Sequence, residues 1–261
     1  MGRFTNRSVV VTGGGTGLGA AIAERFVDEG AQVTVVGRRV EEGEQRRPGA
    51  TGAAEGRGRS VARRCDVTDP AAVAELFEAV RAQFGPVHVL VNNAGVASQS
   101  SCVDMSLEEW NRILGTNLTG TFLCSQAALR QMLPEQRGNI VNVASQGGKR
   151  GMALLTHYCA SKAGVLGFSR ALAAEVAPLV RVNSVCPGQI ITPMIEEEIE
   201  RRRVLLGRSR QEVEDDWLGD IPLRRFQSPG DVAAAVAFLA SDDAKEITGA
   251  ALNVSGGLVM D

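Results

Sequence analysis

The chain has 261 residues, enough to bury a substantial core without disulfide or metal staples. Hydrophobic residues make up 44%, charged residues 22%, and the net charge is −2, so nothing in the balance points to a nucleic-acid or anionic-membrane surface. The five cysteines (Cys65, Cys102, Cys124, Cys159, Cys186) are scattered without a C-x-x-C pair, and only two histidines accompany them. That spacing argues against a disulfide framework and a zinc site, so no metal is expected.

No span approaches the roughly 18–20 apolar residues of a membrane helix. The opening MGRFTNRSVVVTGG runs straight into a strand-and-glycine pattern, leaving no room for a signal peptide's apolar core. Asn6 stands where a myristoylation signal at Gly2 needs Ser or Thr. A cytoplasmic protein with no membrane or nucleic-acid partner is expected.

Short β-branched runs alternate with longer amphipathic stretches, the pattern of a parallel sheet covered by helices on both faces. Ser8–Thr12 is the first strand, followed by a glycine-rich turn and a helix over residues 17–29 that ends at Gly30. Further strands are expected at 31–36, 61–65, 87–92, 139–144, 181–186 and Ala251–Val254, with helices at Pro70–Phe84, 107–134, 156–177 and 231–239. Asp69-Pro70 and Pro229-Gly230-Asp231 are helix-start signals. The fold class is therefore α/β: a single doubly wound, Rossmann-like domain over residues 1–261, with a seven-stranded parallel sheet. Two stretches depart from it. Residues 42–60 hold Pro48 and five glycines, which allows a short helix at best and then an Arg-rich mobile loop. Residues 190–225 form a long charged excursion, read as a substrate lid.

The turn TGGGTGLG (Thr12–Gly19) lies between a strand and a helix, where glycines let the backbone approach a pyrophosphate at the helix N-terminus. Its glycines are spaced as Gly13, Gly17 and Gly19, giving T-G-x-x-x-G-x-G. Asn92-Asn93-Ala94-Gly95 follows the fourth strand and Asp66-Val67 the third. Ser145 follows the fifth strand, and Tyr158 and Lys162 stand in Y-C-A-S-K, with Asn117 upstream and Pro187-Gly188 and Thr192 downstream. Taken in order, these motifs resemble the short-chain dehydrogenase/reductase family over essentially the whole chain. The resemblance implies a catalytic set of Asn117, Ser145, Tyr158 and Lys162. It also implies dinucleotide contacts from Gly13, Thr16, Gly17, Leu18, Gly19, Asp66, Val67, Asn93, Ala94 and Gly95. Tyr158, Lys162, Pro187, Gly188, Ile191 and Thr192 complete those contacts, on the nicotinamide side.

The residues themselves suit that chemistry. Tyr158 and Lys162 are an i,i+4 pair on one helix face. A free tyrosine, with a pKa of about 10, is a poor base at neutral pH. A neighbouring ammonium and an oxidised nicotinamide would each favour the phenolate. Tyr158 then gives a proton to a carbonyl or takes one from an alcohol, while Ser145 holds the substrate oxygen. The family resemblance gives Lys162 the nicotinamide ribose and gives Asn117 a supporting role through water. Ser145 as a turn cap, and the Tyr158–Lys162 pair as a surface feature, are the bland alternatives. His88 and His157 are read as structural, since the family mechanism uses neither. Trp217 either lines the pocket or anchors the lid, and the 196–203 charge run is read as a solvated helix face.

The position that usually carries an acidic residue selecting NAD is Gly37, followed by Arg38 and Arg39. A guanidinium there suits a 2′-phosphate, which points to NADP. Gly15-Thr16 supplies no basic residue inside the turn, so an NAD enzyme with Arg38 stacked on adenine or facing water is the alternative. The expected function is hydride transfer between nicotinamide and a secondary alcohol or ketone of small-molecule size. An NAD-dependent polyol, sugar or secondary-metabolite dehydrogenase is the alternative, and a nucleotide sensor on the same fold would not need the catalytic set. The chain resembles 3-oxoacyl reductases over most of its length, and its end, from Ile221-Pro222-Leu223 through residues 253–257, looks similar to bacterial reductases and sugar-alcohol dehydrogenases. The resemblance further implies a homotetramer. Its joints would be the 107–134 and 156–177 helices and the C-terminal segment.

Overall fold

The structure, a computed structural model, describes residues 2–41, 43–45, 58–191 and 193–260. The chain runs β1 (Ser8–Thr12), α1 (Gly17–Asp28), β2 (Gln32–Gly37), β3 (Gly43–Gln45), β4 (Arg59–Arg64), α2 (Pro70–Phe84), β5 (Val89–Asn92) and α3 (Leu107–Leu114). It continues through α4 (Gly120–Met132), β6 (Gly138–Val143), α5 (Thr156–Val176), β7 (Val180–Pro187), α6 (Pro193–Leu206), α7 (Arg210–Gly219), α8 (Pro229–Ala240) and β8 (Ala251–Val254).

The valine-rich strands are buried on both faces, as a parallel sheet covered on two sides requires. Alternate residues enter opposite layers. Val9 and Val11 pack with Ile22 and Phe26 of α1 and Val232 and Val236 of α8. Val10 packs instead with Leu76 and Phe77 of α2, Met132 of α4 and Val176 of α5. The strand order is β3-β4-β2-β1-β5-β6-β7-β8. The seven expected strands pair in parallel. Winding reverses between β1 and β5, which opens a crevice at their carboxyl ends, the usual ligand site of such sheets.

Three departures from the sequence reading have local causes. Within 42–60, where a short helix was expected, Gly43–Gln45 instead pairs antiparallel with β4 as an edge strand. Residue 42 and residues 46–57, the core of the expected Arg-rich loop, lie outside the described residues, as does Thr192. The expected 107–134 helix is broken by a π-helical turn, Gly115–Thr119. Such a turn inserts one extra residue into the helical repeat, and Asn117 sits in it, 1% exposed. Finally, α8 begins earlier than residue 231: Ser228 caps it, and Asp231 closes a reciprocal capping box behind Pro229.

Among the described residues, no helix is long and apolar enough to cross a membrane, and no cluster of His, Cys, Asp or Glu is arranged to hold a metal ion. Asp69 caps α2 by accepting from the amides of Ala71 and Ala72 at 2.9 and 3.3 Å. Asp69→Ala is expected to cost about 1 kcal/mol, read as a lower urea midpoint at unchanged slope.

Candidate active site

The carboxyl edge of the sheet collects the predicted groups. The Thr12 hydroxyl, at the end of β1, accepts from the amides of Asn93 and Ala94, both at 3.0 Å. Asn93 Nδ2 donates back to the carbonyls of Thr12 and Gly13, each at 3.0 Å. These bonds join the glycine turn to the Asn93–Gly95 loop across the crevice. Gly19 is closely packed: a Cβ there would lie 2.0 Å from the Gly13 carbonyl oxygen. Gly17 is the opposite case, with φ +53 and nothing within 4 Å of where a side chain would begin.

The first turn of α1 has no side-chain cap from Thr16 and no acidic residue, while Leu18 packs inward on the core. A bare helix N-terminus behind an open glycine backbone fits the pyrophosphate of a dinucleotide. Arg38 and Arg39 are exposed just past β2, and Arg38 Nη1 lies 3.9 Å from Asp66 Oδ2. Hydrogen bonds from the amide and hydroxyl of Thr68 hold the Asp66 carboxyl below the usual range, with Arg38 adding to the effect. Val67 is buried against Gly120. On the far side, Gly188 donates to the Val254 carbonyl at 3.0 Å, and Ile191 donates to Gln227 at 3.1 Å. Gly188 follows Pro187, the last residue of β7.

The catalytic candidates come from three elements. Ser145 follows β6 in extended conformation and accepts from Gly147 N at 3.0 Å. Its side chain also lies beside the Tyr158 phenol and favours its ionised form. Lys162, 5% exposed, donates from Nζ to the Val143 carbonyl at 2.9 Å. A Cβ on Gly95 would lie 3.5 Å from Lys162 Nζ and 3.3 Å from Asn117 Oδ1, so the Asn93–Gly95 loop reaches both groups. Asn117 clamps Val96, accepting from its amide at 2.8 Å and donating to its carbonyl at 3.0 Å.

Asn117 also donates to Ser161 Oγ at 3.0 Å, and Ser161 donates to the Tyr158 carbonyl at 2.7 Å. Ser161 was absent from the expected set. Its signal was the i,i+3 spacing from Tyr158, which puts both on one helix face. The Val143 carbonyl had no sequence signal, because any residue offers one. His88 is structural, accepting the Ser8 amide on Nδ1 at 3.1 Å. Trp217 packs edge-on to Phe226 with centroids 6.3 Å apart, which fits an anchor.

The electrostatics differ from expectation. Desolvation holds the Tyr158 pKa above its ordinary value, and the Ser145 side chain only partly offsets it. Burial pushes Lys162 down from 10.5 to about 8. Lys162 Nζ is directed to the Val143 carbonyl and lies 5.8 Å from the Tyr158 ring centre, and desolvation outweighs what its charge offers the phenolate.

The lysine shift gives a stability test. Between pH 8 and 10.5 the unfolded chain binds more protons at Lys162 than the folded chain, so stability rises with pH across that window. Lys162→Met removes the buried charge. The variant is expected to be more stable than the parent at pH 7, by an amount that shrinks toward pH 10, read from urea midpoints at the two pH values.

Comparison with known proteins shows the family and supports the fold. A family model described as enoyl-(acyl carrier protein) reductase matches residues 13–259. The 3-oxoacyl-(acyl-carrier-protein) reductase FabG of Salmonella typhimurium is 39% identical over 98% of this chain and 99% of its own length. The 2-(S)-hydroxypropyl-CoM dehydrogenase 3 of Xanthobacter autotrophicus is 38% identical, with 98% of each chain covered. An actinorhodin polyketide ketoreductase solved with NADPH superposes with a TM-score of 0.85 at 35% identity, covering 98% of both chains. The likeness to these relatives runs along the full length of the chain. The chain belongs to the short-chain dehydrogenase/reductase family of oxidoreductases.

Proposed function

We propose that this protein interconverts a secondary alcohol and its ketone with NADP(H). The observation that carries the reading is the gathering of Ser145, the Tyr158 phenol and buried Lys162 at the carboxyl edge of the sheet. When bound, the nicotinamide supplies or accepts the hydride. Ser145 donates a hydrogen bond to the substrate oxygen, and the Tyr158 hydroxyl exchanges the proton with that oxygen. Lys162 would hold the nicotinamide ribose. Asn117 keeps the Val96 backbone and Ser161 in register behind the tyrosine. Because desolvation favours neutral Tyr158, the protein alone is poised to act as an acid, in the direction of ketone reduction.

Preference for NADP rests on Gly37, which places no carboxylate at the end of β2, and on exposed Arg38. Arg38 is already near Asp66, so a 2′-phosphate would compete for it with a weak exposed ion pair. The bound cofactor of the polyketide ketoreductase supports the same choice. Residues 190–225, carrying α6 and α7, are proposed as the lid over a small-molecule substrate within a single catalytic domain. A cytoplasmic homotetramer is proposed as the working form. The exposed Phe122, edge-on to Phe168 between the outer faces of α4 and α5, supports an interface there.

A panel of NADPH and NADH with ketones, 3-oxoacyl thioesters and polyols, followed by nicotinamide absorbance, tests the reading. Tyr158→Phe is expected to lower turnover about 10²–10⁴-fold, and full turnover would remove the tyrosine from its role. Arg38→Ala is expected to raise the KM for NADPH about tenfold with little change for NADH. Tighter binding of NADH by the parent would point instead to an NAD-dependent polyol or sugar dehydrogenase.

A further inference from the structure

The proton chemistry above makes no use of His157, yet its surroundings give it a defined task. The imidazole is wholly shielded from solvent in the first turn of α5, one residue before Tyr158. Its Nε2 lies 3.2 Å from Ser98 Oγ and 3.7 Å from Glu109 Oε1. Ser98 donates to that same Glu109 oxygen and accepts from Arg112 Nη2 at 3.2 Å. Arg112 grips the Glu109 carboxylate with bonds of 2.7 and 2.8 Å.

Proton positions follow from what each group can do. The hydrogen bond from Arg112, with that from Ser98, holds the Glu109 carboxyl down to about 2, so it is ionised and only accepts. The Ser98 proton therefore goes to Glu109, and one Ser98 lone pair takes the guanidinium. The remaining lone pair accepts from His157, so Nε2 carries hydrogen. His157 Nδ1 has no hydrogen-bond partner. Among the described residues, Ser98 is therefore the hydrogen-bond partner that orients the ring.

The geometry matters because α5 begins without a side-chain cap from Leu155. The first turn that carries Tyr158 thus lacks the restraint that fixes most helix starts. Ser98 lies two residues beyond Val96, which Asn117 already clamps, and Ser100 N donates to the Leu154 carbonyl at 2.9 Å. The loop after β5 is therefore fixed relative to the catalytic helix, and His157 is the side chain through which it holds the first turn.

We propose that His157 is a positioning residue for Tyr158: its Nε2–H bond to Ser98, backed by Glu109 and Arg112, fixes the uncapped first turn of α5. The proposal rests on the assignment of Tyr158 as acid and base. The test measures kcat on the best ketone of the panel, cofactor Kd by nicotinamide fluorescence, and melting temperature. His157→Leu and Ser98→Ala are each expected to lower kcat about ten- to a hundredfold, as small misplacements of a reacting group do, with cofactor Kd within about twofold of the parent. The double variant is expected to match the worse single variant.

His157→Gln, whose amide nitrogen can stand near the Nε2 position, is expected to restore most of the kcat, whereas the shorter His157→Asn is not. Ser98→Ala, in a half-buried loop, carries the test if His157→Leu does not fold. Unchanged kcat in the single variants, multiplicative losses in the double variant, or equal losses in the Gln and Leu variants would overturn the proposal. Tyr158→Phe in the same panel separates the two readings. Full turnover there overturns the tyrosine's role itself, while its loss alongside an intact His157→Leu variant overturns only the positioning.

Discussion

Lys162 sets the terms for the rest of the site, because a cation held away from water must be compensated on the spot. The Val143 carbonyl meets it at the end of β6, and close packing excludes solvent around it. Gly148 is where it is because a Cβ there would lie 2.8 Å from the Lys162 carbonyl oxygen. Ser145 and Gly147 are thereby drawn against the start of α5, and a Cβ on Gly147 would lie 3.2 Å from the Tyr158 ring. The ammonium's desolvation and the phenol's are two results of the same packing. It lowers one pKa and raises the other, leaving both groups nearer neutrality than free side chains would be. A further positive charge close to the phenol would shift it toward the phenolate.

Behind this centre runs a seam of buried polar side chains. Asn92 at the end of β5 donates to Ser125 of α4 at 3.0 Å and to Asn142 of β6 at 2.8 Å. Asn142 donates to Ser169 of α5 at 2.8 Å, which in turn takes the Ser184 hydroxyl of β7 at 2.9 Å. Purely apolar contacts would allow these strands and helices small relative slips, whereas directional bonds in a shielded interior resist them. The seam joins β5, β6 and β7 to the two helices that carry or back the reacting groups. Rigidity at the catalytic edge is thus built one layer beneath it.

What could be read from the sequence follows from what is local. Valine runs, the Asp69-Pro70 helix start and the glycine turn are local signals, and the strands and most helices appear where those signals put them. The π-helical turn at Gly115–Thr119 is not local: an extra residue in a helix is held by tertiary partners, here Val96 and Ser161. The short edge strand Gly43–Gln45 depends on its pairing to β4, and its glycine-bearing sequence favours no strand by itself. Tyr158, Lys162 and Ser145 were legible because their spacing matches a known pattern. Their protonation preferences were not, because desolvation depends on neighbours far away in the chain. The surroundings of His157 were not legible for the same reason, since Ser98 and Glu109 reach it from 59 and 48 positions away.

The segment proposed as a lid is held by different forces from the centre it would cover. Its ion pairs, Arg203 with Glu200, Arg208 with Asp216, and Arg210 with Glu196 and Glu214, all lie at the surface. Exposed pairs of this kind contribute about 0–1 kcal/mol each and weaken with salt. Ile199, Val213 and Ile221 are its buried aliphatic anchors, and the Trp217–Phe226 contact adds an aromatic one. Val204, Leu205 and Leu206, at the end of α6, instead face outward. Among the described residues, this segment holds a smaller share of buried aliphatic side chains than the sheet beneath it, the condition under which local opening costs less. The groups proposed for proton transfer and the segment proposed as a lid are therefore held by physically different means. The first are fixed by burial and directional bonds, and the second, in its described residues, by aliphatic anchors and surface charge pairs.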